Sequence, residues 1–422
     1  MLLSPKMPPK LEFAVTLPAS KSVSNRVLLL RALCPKSGCA LNNLAECDDV
    51  EHMRRGIEAK LSGVRLIDVG ATGTAMRFLT AYFAVTPGEV VLTGSERMQQ
   101  RPIAVLVNAL RALGADIEYV NNEGFPPLRI RGKELQGGDL EVEASVSSQY
   151  ISALLMIAPY LVQGLRLRLS GNVASRTYIE LTLDLMKRYG AVAKWTDGRT
   201  ICVSPGMYED IPFTVEADWS AASYWYEVAA IAVHMGHDVD IALPAITPNS
   251  LQGDRVVASL FEELGVRTEC TEEGVRLLKS QISYCKSQLE IDFTHCPDIV
   301  QTMAVTHCLL GVPYIYKGVH SLRIKETDRV AALIAELRKL GYVLHAEGDE
   351  RLIWNGTRCE AEKQPTIATY EDHRMAMAFA PAALLHKGLT IEHPEVVTKS
   401  YPTFWEELKR IDNSQLTLNT KY

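Results

Sequence analysis

The sequence contains no CxxC pair, no His/Cys spacing of the kind that holds zinc, and no apolar run long enough to span a bilayer. Its 9 cysteines are scattered and odd in number, which reads as reduced thiols in a cytosolic protein rather than a disulfide framework. The opening MLLSPKMPPK has no apolar core of signal-peptide length. The expectation is therefore a soluble, cytoplasmic protein with no membrane partner and no metal. Positive charge is not in excess either, with 44 Lys and Arg against 50 Asp and Glu and a net charge of −6. That balance speaks against nucleic acid as a partner. It leaves room for a cationic pocket, because a cleft can focus charge against the overall sign.

What is present is a chain of 422 residues, 47% hydrophobic and 22% charged, which fits a folded protein of at least two domains. One unit recurs: an amphipathic helix, a closing glycine, then two short strands around a polar turn. It runs through 105–130, 178–203, 255–278 and 329–354. The helix-ending glycines, Gly114, Gly190, Gly265 and Gly341, lie 76, 75 and 76 residues apart. Glycine just past a helix is the expected stop, and NEG, TDG, EEG and EGD are turn chemistry. So regular a spacing implies a duplicated α/β building block. A shortened copy is expected at Val50–Val69, and the helix of a last one at Thr403–Ile411. Glu216-Ala217-Asp218 marks one domain boundary, ahead of an alanine-rich helix, and a second crossing is expected near Leu17. The domains expected are residues 18–216, and residues 1–17 with 217–422.

The stretch LPASKSVSNRVLLLRAL (Leu17–Leu33) carries the functional argument. Pro18 and Ser20 end an extended run, and Lys21, Ser22 and Arg26 fall in the opening turns of a helix. Helix starts offer unpaired N–H groups and partial positive charge, so cations and hydroxyls there suit a phosphate or carboxylate. A capped helix with solvated charges is the plain alternative at any one site. The device recurs, however, in Gly73-Thr74 with Arg77, in Arg101-Pro102, in Ser147-Ser148-Gln149, and in Ser175, Arg176 and Tyr178. Later helix starts add acids: Asp298 after Pro297, Lys325-Glu326 before Arg329, and Asp372-His373-Arg374, with Lys399 in a late loop. Pointed at one cleft, these groups suit two multiply anionic small molecules, with Asp298 and Glu326 as proton carriers.

The motifs LPASKSVSNR, GTAMR, ERMQQRP, SVSSQ, KETDR and YEDHRMAM, in this order, resemble those of the enolpyruvyl transferases, most closely the branch whose acceptor is shikimate 3-phosphate. The resemblance covers nearly the whole chain. It implies a two-domain, inside-out α/β barrel of repeated βαβαββ units, three per lobe, with two hinge crossings and domain closure. It also implies transfer of enolpyruvyl from phosphoenolpyruvate to the 5-hydroxyl of shikimate 3-phosphate without a cofactor, by a protein expected to act as a monomer. On that basis Ser22, Arg26, Ser147, Ser148, Ser175, Tyr178 and Lys325 would bind shikimate 3-phosphate. Lys21, Gly73, Arg101, Gln149, Arg329, Arg374 and Lys399 would bind phosphoenolpyruvate. Asp298 would take the proton of the attacking hydroxyl and Glu326 would protonate the methylene carbon, with Lys21 among the catalytic groups.

The chain departs from that pattern at Ala71, where relatives commonly have asparagine, at Phe78 after the GTAMR arginine, at Ser321, and in the short segment Gly63–Val69. The sister activity on UDP-N-acetylglucosamine is the nearest rival. It normally carries a loop cysteine near Arg101, and no cysteine lies between Cys47 and Cys202. A non-catalytic anion-binding module on the same fold would not need Asp298 and Glu326 beside the lysines. An RNA-end-processing relative would need a basic, aromatic groove, and aromatic residues are 7% of the chain.

Overall fold

In a computed structural model of the chain the structure describes residues 1–3, 8–36, 38–144, 147–171, 173, 175–281 and 288–411; Ser145 and Val146 of the SVSSQ segment lie outside them. The rhythm of about 76 residues is one topology used four times. Two parallel strands are joined through a buried helix, a second helix follows, and an antiparallel hairpin completes a four-stranded sheet.

In one copy Leu66–Asp68 and Gly88–Thr93 flank the helix Gly73–Val85, and the hairpin is Asp116–Tyr119 with Leu128–Gly132. In the next, Gly138–Glu143 and Leu165–Ser170 flank Ser148–Ile157, and the hairpin Ala193–Trp195/Thr200–Val203 follows the helix Arg176–Arg188. A third uses Leu289–Asp292 and Tyr314–Lys317 around Val300–Leu310, then Arg329–Lys339 and the hairpin His345–Glu347/Arg351–Trp354. The fourth is split. Its first strand, Lys10–Ala14, pairs in parallel with Asp238–Pro244, and residues 19–215 are inserted before its helix Trp219–His234.

Two partial copies remain. Thr366–Ile367 and Leu389–Ile391 flank the helix His373–Phe379, with Leu2–Leu3 added antiparallel in place of a hairpin. Phe213–Thr214 and Leu41–Asn42 form the other parallel pair, with the helices Lys21–Leu33 and Asp48–Leu61. The copy expected at Val50–Val69 is thus corrected in part. Its helix forms, but Leu66–Asp68 pairs with Gly88–Thr93 and so leads the next copy. Thr403–Ile411 is helical as expected, through Phe404–Leu408 and the turn Lys409–Ile411. The helix His373–Phe379 gives way to a 3₁₀ turn at Ala380–Leu384, where Pro381 has no N–H to continue the ladder.

The chain divides into two compact units, Ala19–Val215 and Met1–Pro18 with Glu216–Tyr422. Within each unit the helix that joins the two parallel strands of a copy is buried, and the sheets lie outside it. Every residue from Ala221 to Val233 is buried, as is every residue of Val300–Leu310. A helix apolar on all sides has to be enclosed. The strands alternate instead: in Leu165–Ser170 the leucines are buried while Arg166 and Arg168 face solvent.

The four stop glycines have φ of +100° (Gly114), +89° (Gly190), +89° (Gly265) and +90° (Gly341). A Cβ in that region costs about 1–2 kcal/mol. At Gly114 the added Cβ would meet open space, whereas at Gly341 it would come within 3.0 Å of the Cys359 carbonyl. Gly341→Ala is therefore expected to lower the urea midpoint of its unit more than Gly114→Ala does. Equal shifts would show that only the backbone angle matters.

Candidate active site

In the unit Ala19–Val215, four helices present their N-termini at one level. Arg26 makes this legible. It is one to two turns into the Lys21 helix, and its guanidinium donates to Ser22 O (2.9 Å), Ser152 Oγ (3.1 Å) and Thr182 Oγ1 (2.7 Å). Ser152 and Thr182 are each one to two turns into the Ser148 and Arg176 helices, so the three starts are held in register. The fourth start is tied in by Gln149, whose Nε2 donates to Thr74 Oγ1 (3.1 Å). Arg26 is 3% exposed and lies 5.4 Å from the Phe78 ring centroid and 5.7 Å from that of Tyr178. Burial lowers its pKa to about 10, which leaves it charged at neutral pH. Phe78, a departure from the family pattern, thus closes the apolar side of this cation.

Arg101 stands at the start of the Gly73 helix. A Cβ on residue 73 would lie 2.8 Å from its Nη1 and 2.9 Å from its Nη2, so glycine is required for this approach. Two groups hold the loop that carries it: Arg77 Nη2 and Tyr150 Oη both donate to Pro102 O, at 3.3 and 2.6 Å. Arg101 is 8% exposed, and its Nε has no hydrogen-bond partner among the described residues. Lys21 pairs with the buried Asp49 at 2.9 Å. Ser147 caps the Ser148 helix by accepting from Gln149 N (3.2 Å), and Ser148 is buried beside it. Ser175, the residue before the Arg176 helix, is buried with φ of +53° and makes no capping bond. At Ala71 no polar side chain replaces the usual asparagine, but its neighbour Thr72 lies 3.3 Å from His52 Nδ1 through Oγ1.

In the other unit the centre is Arg329, 1% exposed at the first residue of its helix. It donates to Asp372 Oδ2 at 2.7 Å, to Asp298 Oδ1 at 3.2 Å and to Glu326 Oε2 at 3.0 Å. Burial works against its charge, but Asp372, Glu326 and Asp298 outweigh that and raise its pKa. Arg374 reaches Asp298 through Nη1 to the carbonyl and Nη2 to Oδ2, both at 3.0 Å. Lys399 Nζ donates to Glu326 Oε1 at 2.9 Å, and Lys325 Nζ stands 4.0 Å from Asp298 Oδ1. Asp298 therefore does not cap the Val300 helix, and Arg329 is not a solvated surface charge. Ser321 lies in the turn His320–Ile324 just before these groups.

Sequence reasoning found Asp298, Lys325, Glu326, Arg329, Arg374 and Lys399, and all six fall in this one cluster. Asp372, named in the sequence only as a helix-start acid with no separate role, is fully buried, accepts from Arg374 N (2.9 Å) and from Arg329 Nε (2.7 Å), and so anchors Arg329. Sequence reasoning missed Asp49, Ser152, Thr182 and Tyr150 in the first unit. Two of these had a signal: Ser152 follows Ser148, and Thr182 follows Tyr178, by four residues, which is one helical face. Among the described residues there is no group of His, Cys, Asp and Glu placed to hold a metal, and no helix long and apolar enough to cross a membrane.

Residues 56–408 match the family model for EPSP synthase (3-phosphoshikimate 1-carboxyvinyltransferase). A 3-phosphoshikimate 1-carboxyvinyltransferase of Bacteroides fragilis (strain YCH46) is 53% identical over 403 residues, covering 96% of each chain. One from Aliivibrio fischeri (strain MJ11) is 37% identical over 428 residues, covering 95% of this chain and 97% of the relative. In fold, the chain is similar to the 2.37 Å structure of EPSP synthase from Acinetobacter baumannii, with a TM-score of 0.74 at 21% identity over 97% of this chain and 98% of that one. With a buried arginine gathering three carboxylates in one unit, helix starts and basic groups assembled in the other, and this level of identity over nearly the full length, the chain belongs to the EPSP synthase family.

Proposed function

We propose that the protein transfers the enolpyruvyl group of phosphoenolpyruvate to the 5-hydroxyl of shikimate 3-phosphate, releasing phosphate. The observation that carries this reading is the placing of two carboxylates, Asp298 and Glu326, on one buried arginine, with Arg374 and Lys399 on their other oxygens. Two acids held at fixed places can serve two separate proton transfers, and the addition step needs two.

In the addition step the 5-hydroxyl oxygen bonds to C2 of phosphoenolpyruvate while its proton passes to Asp298. C3, the methylene carbon, takes a proton from Glu326, giving a tetrahedral intermediate. In the elimination step C3 returns a proton to Glu326, the double bond re-forms, and the C2–O bond to phosphate breaks as the departing phosphate takes the proton held by Asp298. Lys21, Gly73, Arg101 and Gln149, and likewise Arg329, Arg374 and Lys399, serve the phosphate and carboxylate of phosphoenolpyruvate. Ser22, Ser147, Ser148, Ser175, Tyr178 and Lys325 serve shikimate 3-phosphate. Arg26 acts on that substrate mainly by holding the hydroxyl-bearing helix starts in register. Fixing both reactants turns a bimolecular addition into an effectively unimolecular one. We place the enzyme in the cytoplasm as a monomer.

The direct test is phosphate release from phosphoenolpyruvate with shikimate 3-phosphate as acceptor and UDP-N-acetylglucosamine as competitor; release with the sugar nucleotide alone would overturn the reading. Glu326→Gln is expected to lower kcat by about 10²–10⁴-fold, the range for a lost general acid, with KM changed far less. Turnover near wild type would remove Glu326 from the proton transfer. Gly73→Ala pushes the Arg101 guanidinium off the helix start and is expected to raise KM for phosphoenolpyruvate about tenfold, the loss of roughly one charge-assisted hydrogen bond. A rise confined to KM for shikimate 3-phosphate would reassign Arg101.

A further inference from the structure

Arg374 reaches Asp298 from the end of a sharply bent segment. The chain leaves the strand Thr366–Ile367 and enters the helix His373–Phe379 within a few residues, turning through Tyr370 and Glu371, whose φ angles are +53° and +57°. Two successive residues with side chains in the left-handed region are strained, because each Cβ crowds its own backbone. Such a turn persists only where its surroundings fix it. Asp372 N donates to Thr369 O (2.8 Å) across the bend, and beyond it Asp372 caps the helix and accepts from Arg329.

The near side of the bend is fixed by Glu336, a buried carboxylate that has no part in the mechanism above. It lies two turns after Arg329 on the same face of the helix Arg329–Lys339 and is 1% exposed. Its Oε1 accepts from Tyr370 Oη (2.6 Å), and its Oε2 accepts from Ala368 N (3.0 Å) and Lys339 Nζ (2.7 Å). Lys339 Nζ also donates to Thr366 O (2.7 Å). One helix thus clamps the bend at both ends, Arg329 on Asp372 after it and Glu336 on Ala368 and Tyr370 before it. Tyr370 is 40% exposed, so its hydrogen bond rather than enclosure by neighbours fixes its place.

We propose that Glu336, acting through Tyr370 and Ala368, is a positioning residue for Arg374: it holds the strained bend that aims the guanidinium at phosphoenolpyruvate. The inference rests on the role given to Arg374 above. A guanidinium meets a carboxylate or phosphate through directed N–H bonds, so a small displacement of its helix start weakens the contact. Loss of the clamp is therefore felt by phosphoenolpyruvate, and not by shikimate 3-phosphate, whose groups are assigned to other segments.

The test is steady-state kinetics of the full chain with each substrate varied in turn. Tyr370→Phe removes one oxygen from a partly exposed ring. It is expected to raise KM for phosphoenolpyruvate about three- to tenfold, the worth of one hydrogen bond, with KM for shikimate 3-phosphate unchanged. Glycine takes a positive φ without strain, so adding Glu371→Gly to Tyr370→Phe is expected to lower that KM again. In Glu336→Ala the Tyr370 hydroxyl has lost its acceptor, and a further Tyr370→Phe change is expected to add nothing. A purely structural role would reduce the folded fraction, cutting kcat and leaving both KM values in place. That result, or an unmoved KM for phosphoenolpyruvate in Tyr370→Phe, would overturn the proposal. Arg374→Lys is the control, expected to raise KM for phosphoenolpyruvate about tenfold or more. If it does so and Tyr370→Phe does not, the inference alone fails; if Arg374→Lys leaves that KM unchanged, the role of Arg374 fails and the inference with it.

Discussion

The candidate site depends on one buried cation. Arg329 has almost no exposure and three carboxylates within hydrogen-bond reach, so its desolvation is offset by fixed charge rather than by water. Removing one partner from such a cluster costs about 3–5 kcal/mol, because a charge is left buried without compensation. Asp298, Glu326 and Asp372 are consequently not free to reorient. Such rigidity would suit the proton carriers proposed above, since a carboxylate must meet its target within hydrogen-bond distance each time. The same cluster also ties together four separate segments: the turn before the Val300 helix, the segment before the Arg329 helix, the start of the His373 helix, and Lys399.

The first unit repeats the device in another form. Among the described residues Arg26 has no carboxylate partner; it is held by the carbonyls of Ser22 and Tyr178 and by two hydroxyls, and its faces are covered by Phe78 and Tyr178. Without a counter-charge, burial lowers its pKa, the opposite of what happens at Arg329. The two arginines do related work in opposite electrostatic settings. One gathers acids; the other gathers helix starts and leaves net positive character at their ends.

Much of this was legible in the sequence because it was local. The four stop glycines mark helix ends through a backbone angle that only glycine adopts cheaply, and the polar turns after them dictate hairpins. Asp298, Glu326, Arg329 and Arg374 were visible because each sits at a helix start. What escaped was set by tertiary pairing. The strand Leu66–Asp68 has too little sequence to announce whether it ends one copy or begins the next, and only its parallel partner decides. Asp49 and Asp372 each look like ordinary helix-start acids. Their roles come from burial against residues distant in sequence, which no local pattern encodes.

The arginines of the two units differ in how many of their N–H groups are already bonded. Arg26, Arg77 and Arg329 spend their N–H groups on carbonyls, hydroxyls and carboxylates of their own unit. An anion approaching any of them must displace a bond already made, and the gain is then a difference between two similar terms. Arg101 differs. It is buried almost as deeply, yet its Nε lacks a partner, and it stands against the N–H groups of a helix start that glycine leaves uncovered. An anion there gains the guanidinium, the helix end and relief of an unsatisfied donor together. Residue type alone ranks these four arginines equally; their existing bonds are what distinguish Arg101, whose Nε has no partner among the described residues.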